Sequence, residues 1–180
     1  MRDLRGLRQV VIGTVIMALV STLADAFWAA ALPEQRAVYG LVHGGIIVGV
    51  MGWILAKLGA SSRKTLAALS GLLIGVLAAA LFYVLYPVIG VAAMLISWMA
   101  LWLAFAFLAN AVVVPAEPPR RAVLRGIGAA VFSGAGFWLI SGIWLGPHDP
   151  GFLYSRNLVA WCIAFLPGFA ALLLGRASGK

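Results

Sequence analysis

The segment VYGLVHGGIIVGVMGWILAK, Val38 to Lys57, decides the fold class of this chain. Its apolar residues continue, without a water-facing polar stripe, over the ~20 residues that a helix needs to cross a bilayer. In water its many glycines would weaken a helix, whereas in lipid small residues let neighbouring helix backbones approach closely. These glycines are Gly40, Gly44, Gly45, Gly49 and Gly52. The segment therefore predicts a glycine-packed transmembrane helix, with His43 as the polar exception near its start.

The composition extends this prediction to the whole chain. Of the 180 residues, 64% are hydrophobic and 10% are charged, whereas about a quarter of a soluble domain is charged. The formal charge of +8 comes from basic residues that lie between apolar runs and not in one patch, which argues against a nucleic-acid partner. The single cysteine, Cys162, excludes an intrachain disulfide and a cysteine-cluster metal site. We therefore expect an integral membrane protein that is surrounded by the lipid bilayer.

Six apolar runs predict an all-α polytopic membrane protein with six transmembrane helices in one domain, residues 1–180. The runs cover approximately Val10–Leu32, Val38–Lys57, Leu66–Tyr86, Val91–Val114, Gly126–Leu145 and Leu158–Leu174. The first run could be a cleaved signal that ends near Ala26, but it continues to Leu32, which favours a retained helix. Two polar connections stand out, a proline-rich basic loop at Pro115–Arg125 and a longer loop at Gly146–Asn157.

The distribution of basic residues predicts the orientation of the helices. Of the thirteen Lys and Arg residues, Arg36 and Arg156 alone fall on one side of the six-span layout. Because cytoplasmic loops carry the excess of Lys and Arg, both termini are expected in the cytoplasm. The expected location is a cell membrane of the bacterial inner-membrane type.

An internal similarity predicts that the chain contains two related halves. The segment LADAFWAAALPEQRAV (Leu23–Val38) aligns with LANAVVVPAEPPRRAV (Leu108–Val123), so that Asp25 meets Asn110. The offset equals three spans, an odd number, so the halves would insert with opposite orientations, as in the 3+3 inverted-topology repeats of many transporters. The alternatives are a duplication kept only as a scaffold, or chance similarity between apolar sequences. The candidate halves are residues 1–86 and 87–180.

Asp25 and His43 are the first candidate site residues. Each lies about nine residues from the turn at Glu34-Gln35, so at a rise of ~1.5 Å per residue they reach a similar depth near the outer boundary. A buried carboxylate needs a partner, and an imidazole can provide one. The functional interpretation is a protonatable or cation-binding pair that opens outward. The structural interpretation is a hydrogen bond that holds spans one and two together.

Three further polar residues complete the candidate ligand or proton site. Asn110 lies near the inner boundary, where it either binds a ligand or bonds to a neighbouring helix. His148 and Asp149 lie in the predicted outer loop, in a sequence that also fits an ordinary turn. Together with Asp25 and His43 they offer groups that suit zinc, but their spacing matches no metal motif. We therefore predict no cofactor and leave a metal unassigned.

The function predicted from these features is a component of small-solute or ion transport. The sequence has no phosphate-binding loop, dinucleotide fingerprint, zinc-protease motif or nucleophile elbow, so no residue argues for an enzyme. The alternative is a non-transporting scaffold or assembly subunit, whose glycine-rich helix faces pack against another membrane protein or a second copy. A cavity between spans one, two and five, lined by Asp25 and His43, would favour transport. A solid glycine-packed interior would favour the scaffold.

Overall fold

The computed structural model describes residues 2–31, 36–59, 61–112, 117–145 and 154–174, and the regular structure in these ranges is helical. The helices are α1 (Arg2–Ala31), α2 (Arg36–Leu58), α3 (Lys64–Ile89), α4 (Ala92–Val112), α5 (Pro119–Leu145) and α6 (Tyr154–Leu173). Each of them contains a stretch that is long and apolar enough to cross a membrane. The prediction of an all-helical protein with six apolar helices is thus confirmed.

Three helices begin at least four residues before the apolar runs that mark them in the sequence. Helix α1 begins at Arg2, inside the basic flank, and α5 begins at Pro119, so the end of the predicted loop Pro115–Arg125 is helical. Helix α6 begins at Tyr154 and includes Asn157, which the sequence placed in a loop. Hydropathy locates the lipid-embedded part of a helix, whereas its ends depend on backbone hydrogen bonds. A proline suits the first helical position because its missing N–H has no partner there in any case.

The turn between α3 and α4 also lies later than the sequence suggests. The apolar runs Leu66–Tyr86 and Val91–Val114 leave residues 87–90 for this turn, but α3 continues through Pro87 and ends at Ile89. The backbone N–H of Gly90 donates to the carbonyl of Tyr86 at 2.9 Å, and Gly90 has a φ of 58°. Glycine adopts this conformation without the steric cost that a Cβ would add, so the chain reverses at this residue.

The six helices form a closed ring in which each runs antiparallel to its neighbours. Each helix packs on the one before and the one after it in the chain, and α1 packs on α6. Helix α4 also contacts α2 and α6 across the ring. Hydrogen bonds at helix ends fix this arrangement: Gln9 donates to the carbonyl of Leu58 at 2.7 Å, and Arg63 donates to that of Ala111 at 3.4 Å.

One end of the bundle, which we call the basic end, holds the first turns of α1, α3 and α5 and the last turns of α2, α4 and α6. Its described basic side chains are Arg8, Lys57, Arg63, Lys64, Arg120, Arg121 and Arg125. The opposite end, the Asp25 end, carries Asp25, His43 and Arg156. The sequence predicts that the basic end faces the cytoplasm.

The glycines of α2 form a close contact with α3. A Cβ built on any of the five would have its nearest neighbours in α3. On Gly52 it would collide with the carbonyl of Ala67, and on Gly75 of α3 it would collide with the carbonyl of Gly44. The close backbone approach that the glycines predict is therefore found within the chain, and α3 covers this face of α2.

Aromatic packing dominates the contact between α4, α5 and α6. The ring of Trp98 stacks on that of Phe137, with centroids 4.6 Å apart and planes inclined by 15°. Its Nε1 donates to the hydroxyl of Ser133 at 3.0 Å, and that hydroxyl donates to the carbonyl of Ala164. One buried serine thus joins three helices, because it satisfies an indole N–H and a helix carbonyl together.

Candidate functional site

Asp25 lies near the end of α1 and accepts two hydrogen bonds from α6. The Nε1 of Trp161 donates to Oδ2 at 2.7 Å, and the Nδ2 of Asn157 donates to the same oxygen at 3.1 Å. The two donors are four residues apart, so they lie on one face of α6. Hydrogen bonds to a carboxylate offset part of the free-energy cost of removing it from water.

His43 of α2 approaches the other oxygen of the same carboxylate. Its Nε2 lies 3.8 Å from Oδ1 of Asp25, which is within ion-pair range but too long for a hydrogen bond. The side chains of His43 and Asp25 are 19% and 23% exposed, so the pair is shielded but accessible. The structure brings together the two residues that the sequence matched by depth. In place of the hydrogen bond expected between them, Asp25 accepts hydrogen bonds from Asn157 and Trp161 of α6.

A cavity of about 230 Å³ adjoins this pair, between helices α2 to α6. Five aromatic side chains contribute to its wall: Phe82, Tyr83, Trp98, Phe137 and Trp161. His43 and Ser97 add polar atoms, and the hydroxyl of Ser97 is buried without a hydrogen-bond partner in the described part of the chain. Among the described residues that line the cavity, none is Lys, Arg, Asp or Glu.

Two residues connect the cavity to the carboxylate. His43 and Trp161 both line the cavity, and both lie beside Asp25. Asp25 itself is not among the lining residues. The cavity therefore differs from the one proposed between spans one, two and five, because its described lining residues lie on α2 to α6 and none of them lies on α1.

Asn110 lies at the basic end, far along the bundle from Asp25. Its Nδ2 donates to the carbonyl of Glu117 at 3.2 Å, and its Oδ1 accepts the N–H of Glu117 at 3.1 Å. This paired contact closes the connection between α4 and α5. The structure thus gives Asn110 a clear role in joining two helices and does not bring it to the Asp25–His43 pair.

Glu117 and Arg125 connect this contact to the end of α6. The carboxylate of Glu117 accepts a 3.0 Å hydrogen bond from Nε of Arg125. A terminal nitrogen of Arg125 donates to the carbonyls of Ala171 and Leu174, at 2.9 and 2.6 Å. Because the last carbonyls of a helix have no partner within it, Arg125 caps the C-terminal end of α6.

The remaining predicted site residues, His148 and Asp149, lie outside the described residues. Within the described ranges, no three His, Cys, Asp or Glu side chains are close enough together to hold a metal ion. The geometry of the site therefore rests on Asp25, His43 and the cavity beside them.

Sequence reasoning missed Asn157 and Trp161. It placed Asn157 in a loop and gave Trp161 no role, because α6 is distant from α1 in the chain. The available signal was a polar side chain one helical turn before an indole N–H, near the start of an apolar helix. Such a pair can offer two donors from one helix face to a carboxylate at the same depth.

The six apolar helices are consistent with an integral, multi-pass membrane protein. Comparison of the chain with protein-family models, curated proteins and solved structures found no match. A function for this chain therefore has to be inferred from the chemistry of its site, since a fold alone does not define one.

Proposed function

We propose that the chain is a transport component for small organic cations, which bind in the cavity beside Asp25 and His43. The observation that supports this proposal best is the double role of His43 and Trp161. Both side chains line the cavity, and both lie next to the carboxylate of Asp25. A solute in the cavity is thus separated from a carboxylate by one layer of side chains.

The chemistry of the wall favours a cation over an anion. Aromatic faces attract ammonium groups through their negative electrostatic potential, and the effect grows when water is excluded. The cavity combines such faces with a nearby carboxylate, and no described lysine or arginine side chain lines it. An anion would find no lysine or arginine partner among the described residues of the wall.

The polar atoms of the cavity would orient the solute. Ser97 is 6% exposed and its hydroxyl has no partner among the described residues, so a hydroxyl or ammonium group could satisfy it. Tyr83, which carries a hydroxyl group, and His43 also line the cavity. A volume of about 230 Å³ lies below the ~300 Å³ at which typical ligand sites begin, so the solute should be small.

The proposed route begins at the Asp25 end, which the distribution of basic residues predicts to lie outside the cell. An inverted repeat of the two halves would supply a second arrangement of the same helices, as alternating access requires. The scaffold alternative requires neither a ligand in the cavity nor movement of a solute.

The first test compares two probes of the same shape and different charge. Choline and its neutral isostere 3,3-dimethylbutan-1-ol are added separately to the purified protein in detergent, and thermal unfolding is followed. Choline should raise the melting temperature in a saturable way, because a ligand that binds the folded state stabilises it. The neutral alcohol should have little effect, and Asp25→Asn should remove most of the response to choline.

The second test measures uptake of labelled choline into vesicles that contain the protein. Saturable uptake that Asp25→Asn abolishes supports transport, with Asn110→Ala as a control that leaves the cavity intact. Binding without uptake would retain the site and refute transport. Equal responses to choline and the alcohol would refute the preference for cations.

A further inference from the structure

A second open region lies at the basic end, in a groove between α1 and α2. Its volume is about 480 Å³. Its wall is formed by Arg8, Gln9, Ile12 and Ile16 of α1 and by Val50, Trp53, Ile54, Lys57 and Leu58 of α2. Helices α1 and α2 contact each other less extensively than any other neighbouring pair in the ring, which leaves this groove open along their seam.

The groove has a cationic rim and an aliphatic floor. Arg8 and Lys57 are exposed at the rim, where the apolar stretches of α1 and α2 begin and end. The ammonium group of Lys57 lies 4.8 Å from the centre of the Trp53 ring, a cation–π contact that keeps it beside the groove. The isoleucine and valine side chains lie deeper along the two helices. No acidic side chain lines the groove among the residues that the structure describes.

The cationic rim and the aliphatic floor match the headgroup and the acyl chains of a lipid molecule at a membrane surface. Helix ends with Lys, Arg and Trp lie at the level of lipid headgroups, and the apolar turns beyond them lie at the level of acyl chains. Two cations on different helices can hold one phosphate between them, while the aliphatic floor accepts a chain. Basic recesses between transmembrane helices bind anionic headgroups in this way.

We propose that the groove between α1 and α2 binds an anionic phospholipid, with its phosphate between Arg8 and Lys57 and one acyl chain along Ile12 and Ile16. The bound lipid would fill the seam where the ring is least tightly packed. This proposal requires only that the helices lie in a bilayer. It does not depend on what occupies the cavity at the other end.

The test measures bound lipid on the intact protein by native mass spectrometry. The protein is released from detergent after incubation with equal amounts of dioleoylphosphatidylglycerol and dioleoylphosphatidylcholine. The wild type should retain the anionic lipid preferentially. Each neutralised cation should lower its retention roughly fivefold, so the variant Arg8→Gln/Lys57→Gln should lose roughly 25-fold if the two effects add.

A matched control separates a specific site from general attraction to a basic surface. The variant Arg120→Gln/Arg121→Gln removes the same charge from the same end of the bundle, at exposed residues that do not line the groove. It should keep the preference of the wild type. An equal loss in the two double variants would overturn the proposal, as would an equal retention of both lipids by the wild type.

A third variant tests the floor without changing any charge. Ile16→Trp should fill part of the groove and reduce retention of phosphatidylglycerol, and it provides an independent readout if the charge variant fails to fold. Glycerol 3-phosphate should not compete with the lipid at equal concentration, because it lacks the chains. Effective competition by it, or a dimer that excludes lipid from the groove, would overturn the proposal.

Discussion

The indole Nε1 of Trp161 donates a 2.7 Å hydrogen bond to Oδ2 of Asp25, and this bond joins the last helix of the bundle to the first. Helix α1 packs more extensively on α6 than on α2, its neighbour in the chain. The polar contact therefore lies on the seam that closes the ring. It also places Asp25 beside the aromatic wall of the cavity, because the ring of Trp161 belongs to both.

Loss of the indole N–H should destabilise the protein. Trp161→Phe keeps an aromatic ring but leaves Oδ2 of Asp25 with one donor fewer, which should cost about 1–3 kcal/mol of unfolding free energy. The double variant Trp161→Phe/Asp25→Ala should be more stable than the sum of the single effects predicts, because no carboxylate is left without its donor. Unfolding in mixed micelles measures all three variants, and strict additivity would contradict the contact.

The coupling energy between His43 and Asp25 should be measurable but smaller than that between Trp161 and Asp25. Nε2 of His43 and Oδ1 of Asp25 are 3.8 Å apart, and the two side chains are 19% and 23% exposed. In a cycle of His43→Ala, Asp25→Ala and the double variant, the coupling energy should be below that of the Trp161 cycle. The same micelle measurement compares the two cycles. Zero coupling would mean that the two side chains meet without interacting.

The contact between α2 and α3 should not tolerate an added methyl group. Gly75→Ala would place a Cβ against the carbonyl of Gly44, and since both atoms are bound to packed helices, we expect a loss of about 1–3 kcal/mol. Gly128→Ala is the matched control, because its Cβ would meet its nearest neighbour, Ala171, at 4.0 Å. This control should be neutral, or more stable by up to about 1 kcal/mol, from better helix propensity.

Thermal unfolding of the two alanine variants in the same detergent gives the comparison. Equal stabilities would show that α2 and α3 lie farther apart than the structure places them.

The sequence predicted the helices well because length and apolarity are local properties. It also predicted that Asp25 and His43 meet, since two helices joined by a short turn must lie side by side and depth then follows from counting residues. It did not predict Trp161 as a partner, because nothing local states that α1 and α6 are neighbours. Helices that are apolar on all sides carry little information about which face is buried.

The location of the cavity also depends on which helices are neighbours, and the sequence carries little information about this. Its wall comes from five helices, and of its described lining residues the sequence pattern had singled out only His43 as a site residue. Trp98 both packs on Phe137 and lines the cavity. Only the three-dimensional arrangement separates these roles.

We expect Asn110 to stabilise the fold and to have no part in ligand binding. Asn110→Ala removes both hydrogen bonds to the backbone of Glu117, which should cost about 1–2 kcal/mol of stability. The response of the melting temperature to choline should persist, because Asn110 lies at the opposite end from the cavity. Titration of choline against this variant measures both effects, and a lost response at retained stability would assign Asn110 to ligand binding.

The last prediction concerns the contact between Trp102 and Gly168. Trp102 is fully buried, and a Cβ on Gly168 would collide with three atoms of its six-membered ring. Gly168→Ala should therefore destabilise the protein by about 1–3 kcal/mol, because a buried tryptophan has little room to move. Trp102→Phe removes those ring atoms, and it breaks no hydrogen bond with the described residues, since Nε1 of Trp102 has no partner among them.

The two changes together should compensate in part. The smaller ring of Trp102→Phe leaves a gap beside Gly168, and the methyl group of Gly168→Ala would occupy part of that gap. The double variant should thus be more stable than the sum of the two single effects predicts, by an interaction of about 0.5–3 kcal/mol. Unfolding free energies of the wild type, both single variants and the double variant give this value. A value near zero would show that α4 and α6 do not meet through these residues.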